Sequence, residues 1–175
     1  MKTKLIPALA TAALALAAGP ALAGGSKGAI GVGAESSLVG ISLSPGFAFD
    51  LGGVSMNYDA GEFHAGGFLG FVDGGDDDDT FVAIGGRFYY HIHSSAMTDF
   101  GIGGSGSIAF VGDGDDGSDN PRYMLIEPGL QVRAFVASNV ALSFSAGLSL
   151  GVLDAEGIVI DGQVTGSAGF HYYFF

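Results

Sequence analysis

Val140-Ala141-Leu142-Ser143-Phe144-Ser145-Ala146-Gly147-Leu148-Ser149-Leu150-Gly151-Val152 alternates from end to end. Every even position except Ala146 is a large apolar residue, and every odd position is Ala, Ser or Gly. Successive side chains of a strand point to opposite faces, so period two predicts a strand. A helix would repeat its apolar positions every three or four residues. The rhythm recurs in 81–92, where Val82, Ile84, Phe88, Tyr90 and Ile92 oppose Phe81, Ala83, Arg87, Tyr89 and His91. It recurs again in 100–111, where Phe100, Ile102, Ile108 and Phe110 oppose Gly101, Gly103, Ser105, Ser107 and Ala109. Adding less regular stretches predicts eight strands, at 28–36, 53–60, 62–72, 80–93, 98–111, 123–136, 139–153 and 163–175.

The connections alternate in length. Ala60-Gly61, Ser94 to Met97 and Ala137-Ser138-Asn139 are short, whereas 37–52, 73–79, 112–122 and 154–162 are long. An up-and-down meander with one plain rim and one elaborated rim has this pattern. A soluble sheet also alternates, so the second face must discriminate. Water-facing sheet surfaces mix Lys, Glu, Arg and Asp. Here the second face of 98–111 and 139–153 is Gly, Ser and Ala between the strand ends, and 12 of the 18 acidic residues gather in 73–79, 112–122 and 154–162. Charge in loops, small residues on one wall and an apolar band on the other predict an all-β, eight-stranded antiparallel up-and-down transmembrane β-barrel. In lipid such a ring pairs every backbone group.

Composition narrows the function. The 175 residues include 32 glycines, no cysteine and no tryptophan, with 18 acidic against 6 basic side chains and a net charge of −12. No cysteine excludes disulfides, thiolate metal sites and cysteine nucleophiles. The acidic balance argues against nucleic acid, whose phosphates need clustered Lys and Arg. Lys2 and Lys4, an uncharged Leu/Ala-rich run over 5–18, a Gly19-Pro20 break and Ala21-Leu22-Ala23 form the three regions of a secretory signal peptide, with Ala21 and Ala23 at the cleavage site. Residues 1–23 are expected to be removed, leaving 24–175 as one barrel domain. No later stretch reads as a transmembrane helix, so a membrane role must use strands.

The inward face carries a few large polar residues: Arg87, Tyr89 and His91 on the fourth strand, Glu127, Gln131 and Arg133 on the sixth. A narrow eight-stranded lumen is filled by side chains. Glu35, Arg87, Glu127, Gln131 and Arg133 are therefore expected to form a lumen network, with Glu127 and Glu35 neutralising the two arginines, since an unpaired buried charge is costly. This predicts a plugged interior.

The chain ends Gly169-Phe170-His171-Tyr172-Tyr173-Phe174-Phe175. With the leader and the hairpin rhythm, this aromatic terminal strand resembles the small eight-stranded outer-membrane barrels of Gram-negative bacteria, the OmpA/OmpX-like architecture. The resemblance implies that Tyr173 and Phe175 carry the recognition signal for the barrel-assembly machinery. That family alternates apolar residues back from the last position, whereas here Phe170, Tyr172 and Phe174 are the more apolar parity, so either parity could face lipid. The resemblance implies an integral outer-membrane location, reached through the periplasm, in contact with outer-membrane lipid and lipopolysaccharide.

Other constellations are read against plainer explanations. Asp113, Asp115, Asp116 and Asp119 are candidate calcium ligands, with Asp76 to Asp79 as further oxygen donors. The pattern lacks the closing Glu of a calcium loop, so solvated acidic loops are preferred and no metal is assigned. His91 and His93, at i and i+2, are read as sharing a face, and with Ser94 would suggest a lipid-directed esterase. The preferred reading is an interfacial girdle, with His64 and His171 as lone structural residues. Gly101, Gly103, Gly104 and Gly106 mimic a phosphate fingerprint but have no following helix. Pro128 removes a ladder bond and is expected to mark a bulge. The expected function is a structural or surface-interaction protein of the outer membrane, with no catalytic residues and no cofactor, its acidic loops outward. A small ion or solute pore, porin-like in role, and a soluble periplasmic lipocalin-like ligand-binding barrel are the alternatives.

Overall fold

A computed structural model of the chain describes residues 27–37, 41–44, 47–49, 53–72, 80–112, 122–153, 157–159 and 167–174. All regular elements among them are strands. Those of the ring are β1 (Ile30–Ser37), β4 (Gly53–Asp59), β5 (Phe63–Val72), β6 (Thr80–Ser94), β7 (Thr98–Gly112), β8 (Arg122–Ala137), β9 (Val140–Gly147) with its continuation β10 (Ser149–Leu153), and β12 (Ser167–Phe174). β2 (Ile41–Ser44), β3 (Phe47–Phe49) and β11 (Gly157–Val159) lie in the long connections. Each of the eight predicted strands is present, with ends differing by a few residues. Pairing runs β8-β7-β6-β5-β4-β1-β12-β9 and returns from β9 to β8, so the sheet closes into an eight-stranded antiparallel barrel. The closing seam sets Ile30 opposite Phe174 and Ser37 opposite Ser167.

β2 pairs with β3 within the 37–52 connection, and β11 in 154–162 pairs with β10, the end of the predicted strand 139–153; the sequence reading treats both connections as loops. β2, β3 and β11 are only three or four residues long, too short for period two to stand out. Pro128 does not cause a bulge: its registers with β7 and with β9–β10 run on unchanged. It interrupts one side of a single pair. The Leu148 N–H donates to the Pro128 carbonyl at 2.9 Å, and Pro128 has no N–H to return. The register shifts of the ring fall instead near the short turns, between His91 and His93 and between Phe135 and Ala137.

The alternation resolves into an outside and an inside. Outward positions carry Val54, Met56, Tyr58, Leu69, Phe71, Ile84, Phe88, Tyr90, Ile102, Leu130, Phe144 and Phe170, all exposed. The terminal strand follows the same rule. Phe170, Tyr172 and Phe174 point out, while His171 and Tyr173 are buried inside. Inward positions form layers. Phe135, Ala141 and the Tyr173 ring pack with Ala29 at the short-turn end. Ala83, Ala109, Val111 and Leu125 are buried towards the long connections. Polar and charged groups lie between.

Glycines serve both faces. A Cβ on Gly33 would run into the Phe170 carbonyl oxygen across the seam, and one on Gly103 into the Phe88 carbonyl oxygen. Gly67, Gly86 and Gly106 point outward and do not thin the lumen, contrary to the simplest reading of the glycine-rich strands. Gly33→Ala is therefore expected to cost about 1–3 kcal/mol through overpacking. Gly106→Ala, whose Cβ would lie 3.8 Å from the Leu125 carbonyl oxygen, should stay within about 0.5 kcal/mol of the parent. Urea unfolding in detergent micelles measures both.

Candidate functional site

The lumen is where the chain places its chemistry. Arg133 is its most connected residue, 2% exposed. Its Nη2 lies 2.7 Å from Asp99 Oδ2 and 2.6 Å from Asp59 Oδ2, and its Nη1 donates to the Tyr173 hydroxyl at 3.0 Å. These contacts tie β8 to β7, β4 and β12. Asp59 also holds the β4–β5 turn, where its Oδ1 accepts the Gly61 N–H at 2.8 Å. Gly61 has φ +88, a conformation open to glycine at little cost.

The histidines extend this cluster. His91 Nδ1 faces the Gly61 carbonyl oxygen at 2.8 Å, an acceptor, so that nitrogen carries the proton. In neutral His91, Nε2 is then an acceptor, 2.8 Å from His64 Nδ1 and 3.3 Å from Arg133 Nη2. His64 therefore donates through Nδ1, and its ring stacks on Tyr89 at a centroid distance of 5.5 Å.

A second cluster lies further along the lumen. Arg87 binds both carboxylate oxygens of Glu35 through its two terminal nitrogens. His171 Nε2 lies 3.0 Å from Glu35 Oε1 and 2.8 Å from Ser55 Oγ. Glu127 stands apart from both arginine clusters, receiving hydrogen bonds from Ser105 Oγ at 2.9 Å and Ser149 Oγ at 2.5 Å.

The predicted lumen residues Glu35, Arg87, Glu127, Gln131 and Arg133 all line the inside, but they do not form one network. Glu35 neutralises Arg87 as expected. Arg133 pairs with Asp59 and Asp99, and Glu127 pairs with neither arginine but accepts hydrogen bonds from serine hydroxyls. Gln131 is buried two positions from Arg133 on the same face of β8. Asp59 and Asp99 were missed although their parity was readable: Asp59 shares a face with Ser55 and Asn57, and Asp99 with Gly101 and Gly103. Each sits at a strand end beside a short turn, where charge looks like loop. His64 and His171 are not lone residues, since each bonds a partner on another strand. His91 and His93 do not share a face. The bulge between them sets His93 opposite Phe100 and leaves it exposed, while His91 turns inward. Both His91 ring nitrogens face groups other than Ser94, so no serine triad forms there.

Tyr173 is 1% exposed, its ring inside the lumen. Phe175, Ala21, Ala23, the calcium candidates Asp113, Asp115, Asp116 and Asp119, and Asp76 to Asp79 lie outside the described residues. Among the described residues, no group of three or more His, Cys, Asp or Glu is placed to hold a metal.

No protein-family model matches the chain, and no curated protein matches its sequence. Among solved structures it is similar to Ail, the attachment invasion locus protein of Yersinia pestis, at 12% identity and a TM-score of 0.46, over 85% of this chain and all of that one.

Removing one partner of a buried ion cluster leaves the others unpaired. Arg133→Met strands Asp59 and Asp99 and is expected to destabilise the barrel by about 3–5 kcal/mol. Glu127→Gln keeps an acceptor for one serine and is expected to cost about 1–2 kcal/mol. Reversible denaturant unfolding in micelles, followed by tyrosine fluorescence, ranks the two.

Proposed function

We propose that this chain is an integral barrel of a bacterial outer membrane, with a structural or surface-interaction role and no catalytic centre. The observation that carries this reading is the outer wall. It is apolar on every strand of the ring, and among its described residues the charged exception, Arg122, stands at the long-connection end of β8. A soluble monomer exposing such a belt would aggregate, because exposed apolar patches seldom exceed a few hundred Å². Dimensions agree. Val82 to Ile92 spans about 33 Å along β6, and at a strand tilt of about 40° this projects to about 25 Å, the height of a barrel's lipid-facing band. Tyr58, Tyr90 and Tyr172 lie outward towards the short-turn end, where an aromatic girdle meets headgroups.

The interior supports a structural role over a pore. Arg87, Tyr89, Gln131, Arg133, Phe135 and Tyr173 are all buried within the ring, and ion pairs cross it at two levels. A lipocalin-like barrel would put its apolar face inside, the reverse of this distribution. The long connections, with their acidic residues, would face outward, the short turns and both chain ends the periplasm. Acidic loops at the outer surface would meet lipopolysaccharide through bridging divalent cations, and export would follow from the leader at 1–23.

The protein is expected to fractionate with membranes, to require detergent for extraction, and to migrate differently on gels before and after heating. Planar-bilayer recordings of the folded monomer should show no stable conductance. Large stable steps would establish the pore reading, and detergent-free extraction the soluble one.

A further inference from the structure

The outer wall is not evenly filled. A groove of about 710 Å³ crosses β1, β4, β5 and β6, with Val32, Val54, Met56, Leu69 and Ile84 along it and Gly67 in its floor. Its floor lies where the outward residue of β5 is a glycine, and the register carries that bare level on past the groove. Gly67 stands opposite Gly86, and Gly86 opposite Gly106, so three adjacent strands present bare backbone at one level. Leu69, Ile84 and Ile108 form the bank on one side, and Ala65 and Phe88 the bank on the other. Met56, opposite Gly67, closes one end of the glycine row, and Ile126, opposite Gly106, the other.

Packing inside the barrel does not demand these glycines. A Cβ on Gly86 would lie 3.5 Å from the Gly66 carbonyl oxygen and one on Gly106 3.8 Å from that of Leu125, both ordinary contacts. On Gly67 it would lie 3.3 Å from the Gly85 carbonyl oxygen, a close but adjustable one. The dent is therefore a property of the outer surface.

Its chemistry selects the occupant. At the groove β1, β4, β5 and β6 are each paired on both sides, so it offers no strand edge to a partner strand. The floor residues lie within continuous antiparallel ladders, which engage the backbone and leave little for a polar ligand to bind. The outward side chains along it are aliphatic carbon and one thioether. The groove lies mid-wall, continuous with the apolar belt, where water is excluded if the belt faces lipid. Three inter-strand spacings, about 14 Å, separate β1 from β6. Because barrel strands tilt by about 40°, the groove runs obliquely to the membrane normal. A void there forfeits dispersion contacts, and a flexible hydrocarbon chain can conform to it. We propose that this groove seats one lipid acyl chain, held in preference to the chains around the rest of the wall. The proposal rests on the membrane reading above.

The test separates the two. The chain has no tryptophan, so Leu130→Trp, across the ring on β8, reports the wall without background. Its quenching by chain-brominated phosphatidylcholine in vesicles tests whether the belt meets lipid. The groove is tested by native mass spectrometry of protein refolded with dimyristoyl phosphatidylcholine and released from detergent. One retained lipid per barrel is expected. Gly67→Leu fills the floor, and Met56→Ala removes a wall; heat-modifiable migration identifies the folded variants. Each folded variant should lower the one-lipid species about tenfold, or 1.4 kcal/mol. A quenched Leu130→Trp with no retained lipid, with retention unchanged in the variants, or with a lipid-free dimer in its place overturns the proposal and leaves the membrane reading intact.

Discussion

The seam between β1 and β12 is the pairing on which the rest depends. It joins strands from opposite ends of the described chain and turns an open sheet into a ring, with Ile30 opposite Phe174 and Gly33 opposite His171. An open sheet has two edges whose backbone groups need partners, and in hydrocarbon each unpaired group costs several kcal/mol. Closure removes both edges. It also separates an inside from an outside for every strand. Because the side-chain period is two, a one-residue slip at the seam would exchange the faces of a whole strand. Gly33, with no room for a Cβ beside the Phe170 carbonyl, lets the two backbones approach closely there.

What fills the ring follows from its size. Between their ends, β7 and β9 line the interior with Gly, Ser and Ala, leaving room for Arg133, Tyr173, Arg87 and Tyr89 from other strands. Arg133 bridges β8 to β4, β7 and β12, so one guanidinium holds parts of the chain far apart in sequence. A buried ion cluster adds little net stability over a well-packed apolar core, but breaking it is expensive. Its effect here is on register: a slipped strand would carry Asp59 or Asp99 to the outer wall and leave Arg133 unpaired. The acidic excess of the composition thus divides, with Glu35, Asp59, Asp99 and Glu127 spent inside and the runs at 73–79 and 112–122 left in the long connections.

The eight strands and the inward parity of β6 to β9 were legible in the sequence because alternation over ten or more residues has no helical equivalent. The terminal strand was not, since both of its parities are aromatic: Phe170, Tyr172 and Phe174 against His171 and Tyr173. Only pairing with β1 and β9 decides between them. The bulge that parts His91 from His93 left no mark in either residue, and the pairing of Asp59 and Asp99 with Arg133 depends on the curvature of the ring, which one-dimensional spacing does not contain. Glu127 was assigned an arginine on charge alone, whereas its neighbours are the serines that oppose it on β7 and β10. The outward row Gly67, Gly86 and Gly106 was equally hidden, because it exists only once three strands are in register.

The account stands on the outer wall facing lipid while the inner face is packed. Because the chain has no cysteine, spin labels can be placed one at a time at residues 83 to 91 of β6 in protein reconstituted into vesicles. Collision rates with oxygen and with a water-soluble nickel complex should then oscillate with period two. Ile84, Gly86, Phe88 and Tyr90 are predicted to show high oxygen and low nickel access, and Ala83, Arg87, Tyr89 and His91 low access to both. High nickel access at the outward positions, or the loss of the period, would contradict it.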